Sequence, residues 1–232
     1  NDSCNYMKNK ELDSAIIIAN GDAPRRADIA LLRKAGFTAI VCADGGLRIA
    51  AKLGLLPNVI IGDFDSSAPA LREQYSGTAM LLHDKDQNTT DIEKALNYLI
   101  SQGCKRVVLL AAIGSRVDHS LGNISILLKY ADRLRLFLIH GSSLLTHISG
   151  SSDFSSSQGE IISLYGFDRK TRFSTMGLQY PLKREAVPFG VRESTSNVAL
   201  RDSVSVKVSG GTGLIVRDLK TAVKHNFFSC FG

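Results

Sequence analysis

The sequence has little sulfur, no tryptophan and no long apolar run, and each shortage removes a class of function. Its 232 residues carry four cysteines, Cys4, Cys42, Cys104 and Cys230, widely spaced and without a CxxC pair. A disulfide framework is therefore not expected, and Cys42, which follows an apolar run, reads as a small buried residue. The five histidines form no HxxxH or Cys/His cluster, which argues against structural zinc. The longest apolar candidates, "SAIIIAN" and "RVVLLAAIG", fall far short of the ~20 residues that span a bilayer. The polar start, "NDSCNYMKNKELD", lacks the apolar core of a secretory signal. These absences predict a reduced, cytoplasmic protein that does not enter a membrane.

Charge of one sign is also scarce. There are 28 basic and 22 acidic residues, a net charge of +6, and no stripe of Lys and Arg interleaved with aromatics. Only short basic pairs occur, such as Arg25-Arg26 and Lys183-Arg184. Nucleic acid is therefore excluded as the expected partner, and an anionic small molecule is favoured.

What is present is alternation. Up to His140, short near-continuous apolar runs (14–20, 38–44, 58–63, 79–84, 106–114 and 134–140) alternate with helical patterns. Strands buried on both faces require such runs. The clearest helix is "TTDIEKALNYLISQG", where Ile92, Ala95, Leu96, Leu99 and Ile100 form one stripe and Gly103 marks the stop. This half predicts an α/β fold, a mostly parallel sheet with flanking helices. After His140 the period changes. "SGSSDFSSSQGE" (149–160) reads as a Ser-rich break, followed by short β runs. "SVSVKV", "SGGTG" and "LIV" together read as a hairpin, and no Gly-Lys-Ser/Thr follows the glycines to make them a phosphate loop. Residues 141–232 are thus expected to form a small antiparallel β-sandwich domain after an α/β domain over 1–140.

Ligands in parallel α/β sheets bind beyond the carboxyl ends of the strands. Here five successive strand ends are rich in Asp, Gly, Asn, Ser or Thr: "ANGD" (19–22), "ADGG" (43–46), "GDFDSS" (62–67), "HDKDQNTTD" (83–91) and "GSRVDH" (114–119). Asp63, Asp65 and Asp91, with Asp44, Asp86 and Asp118 as further candidates, are hard oxygen donors that suit Mg²⁺ shared with substrate phosphates. In an extended segment Asp63 and Asp65 point the same way, and Phe64 between them packs against the underlying framework. Gly21, Gly45, Gly46, Gly62 and Gly114 let backbone approach a ligand. Thr90 or Thr89 can cap the following helix, while Lys94 and Arg116 can neutralise phosphate. Plainer readings stand beside these. Asp91 and Glu93 can merely complement a helix dipole, Asp118-His119 can cap the next helix, and Asp63-Asp65 can form an Asx-type turn before Ser66.

"ADGG", "IGDFDS", "DQNTTDIEK" and "GSRVDH", in this order, resemble the thiamine pyrophosphokinase family, as do "GLQYPL" (177–182) and "STSN" (194–197). The resemblance spans nearly the whole chain. Ser115 stands where the family more often has Gly or Ala, and Tyr180 where it often has Trp. The resemblance implies transfer of a pyrophosphoryl group from ATP to thiamine, releasing AMP. It implies Mg²⁺ held by Asp63, Asp65 and Asp91, with Lys94 and Asp118 also catalytic. It implies ATP held by residues drawn from Asn20, Gly21, Asp44, Gly45, Gly46, Gln87, Asn88, Thr90, Ser115 and Arg116. It further implies a homodimer, with Tyr180 facing the thiamine rings and Ser194, Ser196 and Asn197 as substrate-binding residues. Two other readings remain open on the residues: a Mg²⁺-dependent phosphohydrolase with Asp63 as nucleophile, and a non-catalytic nucleotide or thiamine sensor.

Overall fold

A computed structural model describes residues 12–64, 69–84 and 88–229. The chain divides into two compact units, Asn1–His140 and Gly141–Gly232. In the first unit six strands and five helices alternate: β1 (Ser14–Ile18), α1 (Arg26–Lys34), β2 (Ala39–Ala43), α2 (Gly46–Leu53), β3 (Val59–Gly62), α3 (Pro69–Tyr75), β4 (Met80–His83), α4 (Asp91–Ser101), β5 (Arg106–Leu110), α5 (Val117–Lys129) and β6 (Arg135–His140). Every pairing among these strands is parallel, in the order β6-β5-β1-β2-β3-β4. The apolar runs explain this arrangement. β1, β2, β3 and the last four residues of β5 are buried on both faces, as helices on each side of a parallel sheet demand. Strand β4 lies at the edge, and its exposure alternates.

The order reverses at β1. From β1 the chain winds outward through β2, β3 and β4, then returns to place β5 on the other side. The crevice beyond the ends of β1 and β5 is the topological switch point, where open α/β sheets bind ligands. Helix α4 follows its sequence pattern, with Ile92, Ala95, Leu96 and Leu99 buried. It is opened by a capping box. Thr90 Oγ1 accepts from the Glu93 backbone N–H at 3.3 Å, and Glu93 accepts from the Thr90 N–H at 3.1 Å. Such a cap contributes about 1 kcal/mol.

The second unit is antiparallel: β7 (Ser143–Ser155), β8 (Ile161–Tyr165), β9 (Arg172–Met176), β10 (Lys183–Glu185), β11 (Ser194–Val198) and β12 (Ser203–Asp218), closed by α6 (Leu219–Lys224) and a 3-10 turn at Phe227–Ser229. The long strands β7 and β12 pair along almost their whole length. The first half of β12 also pairs with β9 and its second half with β8, so two strand layers share one spine.

Two expectations fail here. The Ser-rich stretch 149–160 is a break only over 156–160, because 149–155 completes β7. "SGGTG" is not a hairpin turn but an irregularity inside β12, where the register shifts between Val208 and Gly213. The physical reason is that glycine permits a bend without demanding a reversal. Gly150 and Gly210 take positive φ (64° and 79°), and a Cβ on Gly213 would lie 2.4 Å from the buried Phe173 ring.

The core of this unit also holds a charge. Arg217 and Glu160 are fully buried and form a bidentate pair, with both nitrogen–oxygen distances at 2.8 Å. The guanidinium carbon lies 4.3 Å from the ring centroids of both Phe154 and Phe227. Since Phe227 belongs to the C-terminal turn, this pair fastens the end of the described chain to the sandwich.

Candidate active site

A cleft of about 800 Å³ opens at the switch point of the first unit. Its lining comes from the ends of β1, β2, β3 and β5, from the opening turn of α4 and from one face of α5 along its length. Two backbone hydrogen bonds join the first and fifth strand ends: Gly21 N–H donates to Ala111 O at 2.6 Å, and Asp22 N–H to Ile113 O at 2.8 Å. This contact leaves no room for a side chain at position 21, where a Cβ would sit 2.3 Å from Ile113 O.

The acidic centre lies on the other side. Asp44, Asp63 and Asp91 each offer one carboxylate oxygen, and these oxygens all lie within 4.8 Å of one another. Three local features bring them together. Asp44 is 2% exposed and sits at φ 33°, a conformation costly for a residue with a Cβ, and its N–H is tied to Ile61 O at 2.8 Å. A Cβ on Gly62 would lie 2.7 Å from Asp44 Cβ, so glycine there admits the approach of β2 and β3. Asp91 is the first residue of α4, directly after the Thr90 cap.

Lys94, one turn on, is 4% exposed and donates to Asp84 O at 3.0 Å and Asp91 Oδ1 at 3.2 Å. Burial nevertheless holds the Asp91 carboxyl above its ordinary range; Lys94 opposes this, while Asp44 and Asp63 reinforce it. Glu93 behaves differently. Burial pushes its carboxyl up, but bonds from Lys129 and Thr90 outweigh that and leave it below the usual range.

On the rim of α5, Arg116 and Asp118 form an exposed bidentate pair at 3.0 and 2.5 Å. Arg116 holds the Asp118 carboxyl well below the ordinary carboxylate range. The backbone of this loop is fixed by Ser120, which accepts from Gly114 N–H at 3.2 Å, and by Asn123, which donates to Ala112 O at 2.7 Å.

Of the expected site residues, Asn20, Gly21, Asp44, Gly45, Asp63, Thr90, Asp91, Lys94, Ser115, Arg116 and Asp118 all line this cleft. Asp65, Asp86 and Gln87 lie outside the described residues. Asn88 is exposed and does not line the cleft. Nor does Gly46; a Cβ there would come within 1.9 Å of Ile18 O, so this glycine serves the packing of α2 on β1. The extended geometry expected around Asp63 is not found. Strand β3 ends at Gly62, and Phe64 adopts a left-handed φ of 65°. Sequence reading also missed the α5 face formed by Gly122, Asn123, Ile126 and Lys129. Its three-and-four spacing was a legible signal, since one face of a helix recurs at that interval.

In the second unit Tyr180 is 64% exposed, while Ser194 is half-buried and Ser196 exposed at φ 56°. Asn197 differs from the ligand-facing role expected of it. It is 1% exposed, and its amide is engaged by the chain: Oδ1 accepts from Tyr180 N–H at 3.0 Å, and Nδ2 donates to Tyr180 O at 2.7 Å. Its task here is to fix the backbone that carries Tyr180.

Comparison with known proteins agrees with this arrangement. Residues 32–138 match the family description "Thiamin pyrophosphokinase, catalytic domain", and residues 151–213 match "Thiamin pyrophosphokinase, vitamin B1 binding domain". Thiamine pyrophosphokinase 2 of Arabidopsis thaliana is 30% identical over 89% of this chain and 90% of its own length. Thiamine pyrophosphokinase 1 of the same plant is 30% identical over 83% of this chain and 82% of its own. Among solved structures, thiamin pyrophosphokinase from Geobacillus thermodenitrificans superposes with a TM-score of 0.73 at 25% identity, covering 88% of this chain and 97% of the other. The Candida albicans structure, at 18% identity, shares the fold with a TM-score of 0.79 over 92% of this chain and 90% of the other. This chain belongs to the thiamine pyrophosphokinase family of enzymes.

Proposed function

We propose that the chain transfers the pyrophosphoryl group of ATP to the hydroxyethyl oxygen of thiamine, yielding thiamine diphosphate and AMP, with Mg²⁺ at the acidic centre. The observation that carries this reading is the gathering of Asp44, Asp63 and Asp91 within 4.8 Å at the switch-point cleft of a family member. These residues fit a hard divalent cation. All the donors are carboxylate oxygens, and Asp91 is held above its ordinary range in spite of Lys94, a condition that a cation relieves. When bound, Mg²⁺ supplies charge neutralisation on phosphate oxygens.

The remaining work is positioning and electrostatics. Asp63 and Asp91, with Asp44 behind, would hold the cation, and Asp65 is assigned to the same task on the family resemblance alone. Lys94 keeps Asp91 aimed into the cleft rather than toward solvent. Ser115, Arg116 and Thr90 stand where a triphosphate would be received, and Gly21 and Gly45 let its oxygens approach backbone. Because attack falls on the β-phosphorus, negative charge grows on the departing α-phosphate, and cationic Arg116 is the residue assigned to it. Asp118, paired with Arg116, is assigned to orienting the thiamine hydroxyl.

In the second unit the exposed Tyr180 ring is the candidate face for the cationic thiazolium, an attraction of about 0.5–2 kcal/mol. Ser194 and Ser196 offer hydroxyls, and Asn197 acts through Tyr180. We further infer a cytoplasmic homodimer, a reading supported by the family resemblance. Among the described residues no helix is long and apolar enough to cross a membrane, and Cys42 and Cys104 are buried free thiols. The test is product identity. Protein, thiamine, ATP and Mg²⁺ should give AMP and thiamine diphosphate by chromatography; ADP or inorganic phosphate as the nucleotide-derived product would overturn the assignment.

A further inference from the structure

The residue after Asp63 carries an unusual conformation that the reaction itself does not explain. Phe64 sits at φ 65°, a left-handed conformation that is a genuine outlier for a bulky side chain. Such a conformation persists only where its surroundings over-determine it, and here three contacts do so. Arg72, on α3, donates from Nη1 to the Phe64 carbonyl at 2.6 Å. The same guanidinium lies 4.9 Å from the Phe64 ring centroid. The ring also stacks on His83 at the end of β4, at 5.4 Å with planes 22° apart.

The strand end beneath is equally fixed. Gly62 O accepts from Asp84 N–H at 3.0 Å, and Asp84 O accepts from Lys94. Asp63 is thus the one residue between two anchored neighbours, Gly62 on the sheet side and Phe64 on the α3 side. Its carboxylate reaches within 4.8 Å of those of Asp44 and Asp91, and the chain turns at Phe64 immediately after it.

We propose that Arg72 is a positioning residue for the acidic centre: it holds Phe64 in the left-handed turn and thereby aims Asp63 at the metal. The proposal rests on the reading of Asp44, Asp63 and Asp91 as a divalent-cation site. Arg72 is not among the residues that line the cleft. It acts from outside, as do the groups behind metal ligands, whose loss commonly weakens metal affinity about 10–100-fold. Release of the carbonyl frees the backbone at Phe64, and with it the peptide that joins it to Asp63, so the Asp63 carboxylate is no longer held toward its two partners. A lysine at position 72 keeps a cationic donor for the carbonyl but loses the planar guanidinium over the ring, so it should restore part of the effect.

The experiment measures Mn²⁺ binding by electron paramagnetic resonance, in the presence of a non-hydrolysable ATP analogue, for wild type, Asp63→Asn, Arg72→Met and Arg72→Lys. Methionine retains an apolar stem over Phe64 and removes the donor. The expected result is Mn²⁺ affinity at least about tenfold weaker in R72M, intermediate in R72K, with melting temperatures close to wild type. In turnover, the Mg²⁺ concentration needed for half-maximal rate should rise in R72M while the KM for thiamine stays unchanged. Wild-type Mn²⁺ affinity in R72M would overturn the proposal. So would a weakened affinity that tracks lost thermal stability equally in R72M and R72K, since that is general damage. Equal binding by wild type and D63N would instead refute the metal-site reading itself, so the two failures are distinguishable.

Discussion

Replacing Asp63 with asparagine should make the metal-free protein more stable while removing its response to Mg²⁺. Three carboxylate oxygens lie within 4.8 Å of one another, and like charges at that distance repel. At an effective dielectric of ~20, two unit charges so placed repel by about 3.5 kcal/mol. Asp63 is half-exposed, so solvent and salt reduce the repulsion relieved by D63N to about 1 kcal/mol. For a protein of this size, a gain of that order raises the melting temperature by about 2–4 °C. The assay is a pair of melts at pH 7, one with a chelator and one with saturating Mg²⁺ and ATP. In chelator the variant should melt above wild type; with Mg²⁺ and ATP the wild type should gain and the variant should not. The reasoning is refuted if D63N melts below wild type without metal, or gains from Mg²⁺ and ATP as much as wild type does.

Other outcomes follow from the same geometry. In Lys94→Met the Asp91 carboxyl loses the ammonium that lowers it, so its protonation moves to higher pH. Because the folded-state value is already raised, Asp91 makes the metal-free fold less stable as pH rises through its titration. The variant should therefore lose Mg²⁺-dependent activity at a higher pH than wild type as the solution is acidified, and a pH–rate profile at fixed Mg²⁺ checks this. Tyr180→Ala should raise the KM for thiamine about 2–30-fold, the range set by ~0.5–2 kcal/mol of cation–π attraction, with kcat little changed; Tyr180→Trp should bind as well as wild type. Arg217→Met should cost about 3–5 kcal/mol by stranding Glu160 in the core, and the double variant with Glu160→Leu should recover much of it in chemical denaturation.

The first unit was legible because its signals are local. Unbroken runs such as "AIVCA" are what a strand buried on both faces must contain, and the α4 stripe and Thr90 cap announce their helix within a dozen residues. The clustering of strand ends at one sheet edge then follows from parallel topology alone. The second unit was less legible, because its long strands are decided by partners distant in sequence. Ser-rich 149–155 has no burial pattern of its own that demands extension, yet pairing with 203–208 of β12 holds it there. Gly210 and Gly211 look alike in sequence whether they turn a hairpin or bend a strand.

At the site, acidic residue types pointed to Asp63, Asp65 and Asp91, with Asp44 only one of three further candidates, and not to the backbone conformation that brings Asp44, Asp63 and Asp91 together. That depends on φ 33° at Asp44, φ 65° at Phe64 and the missing Cβ of Gly62. Asn197 shows the converse: a polar residue in a recognised motif can be consumed by the chain that carries it.

The central claim is that the strand-end aspartates hold a divalent cation on the polyphosphate of ATP. It is tested most directly by anomalous diffraction from crystals grown with Mn²⁺, a non-hydrolysable ATP analogue and thiamine. The account predicts a peak within coordination distance of the Asp63 and Asp91 carboxylates and of phosphate oxygens. A peak elsewhere, or bound nucleotide without metal at these residues, would contradict it.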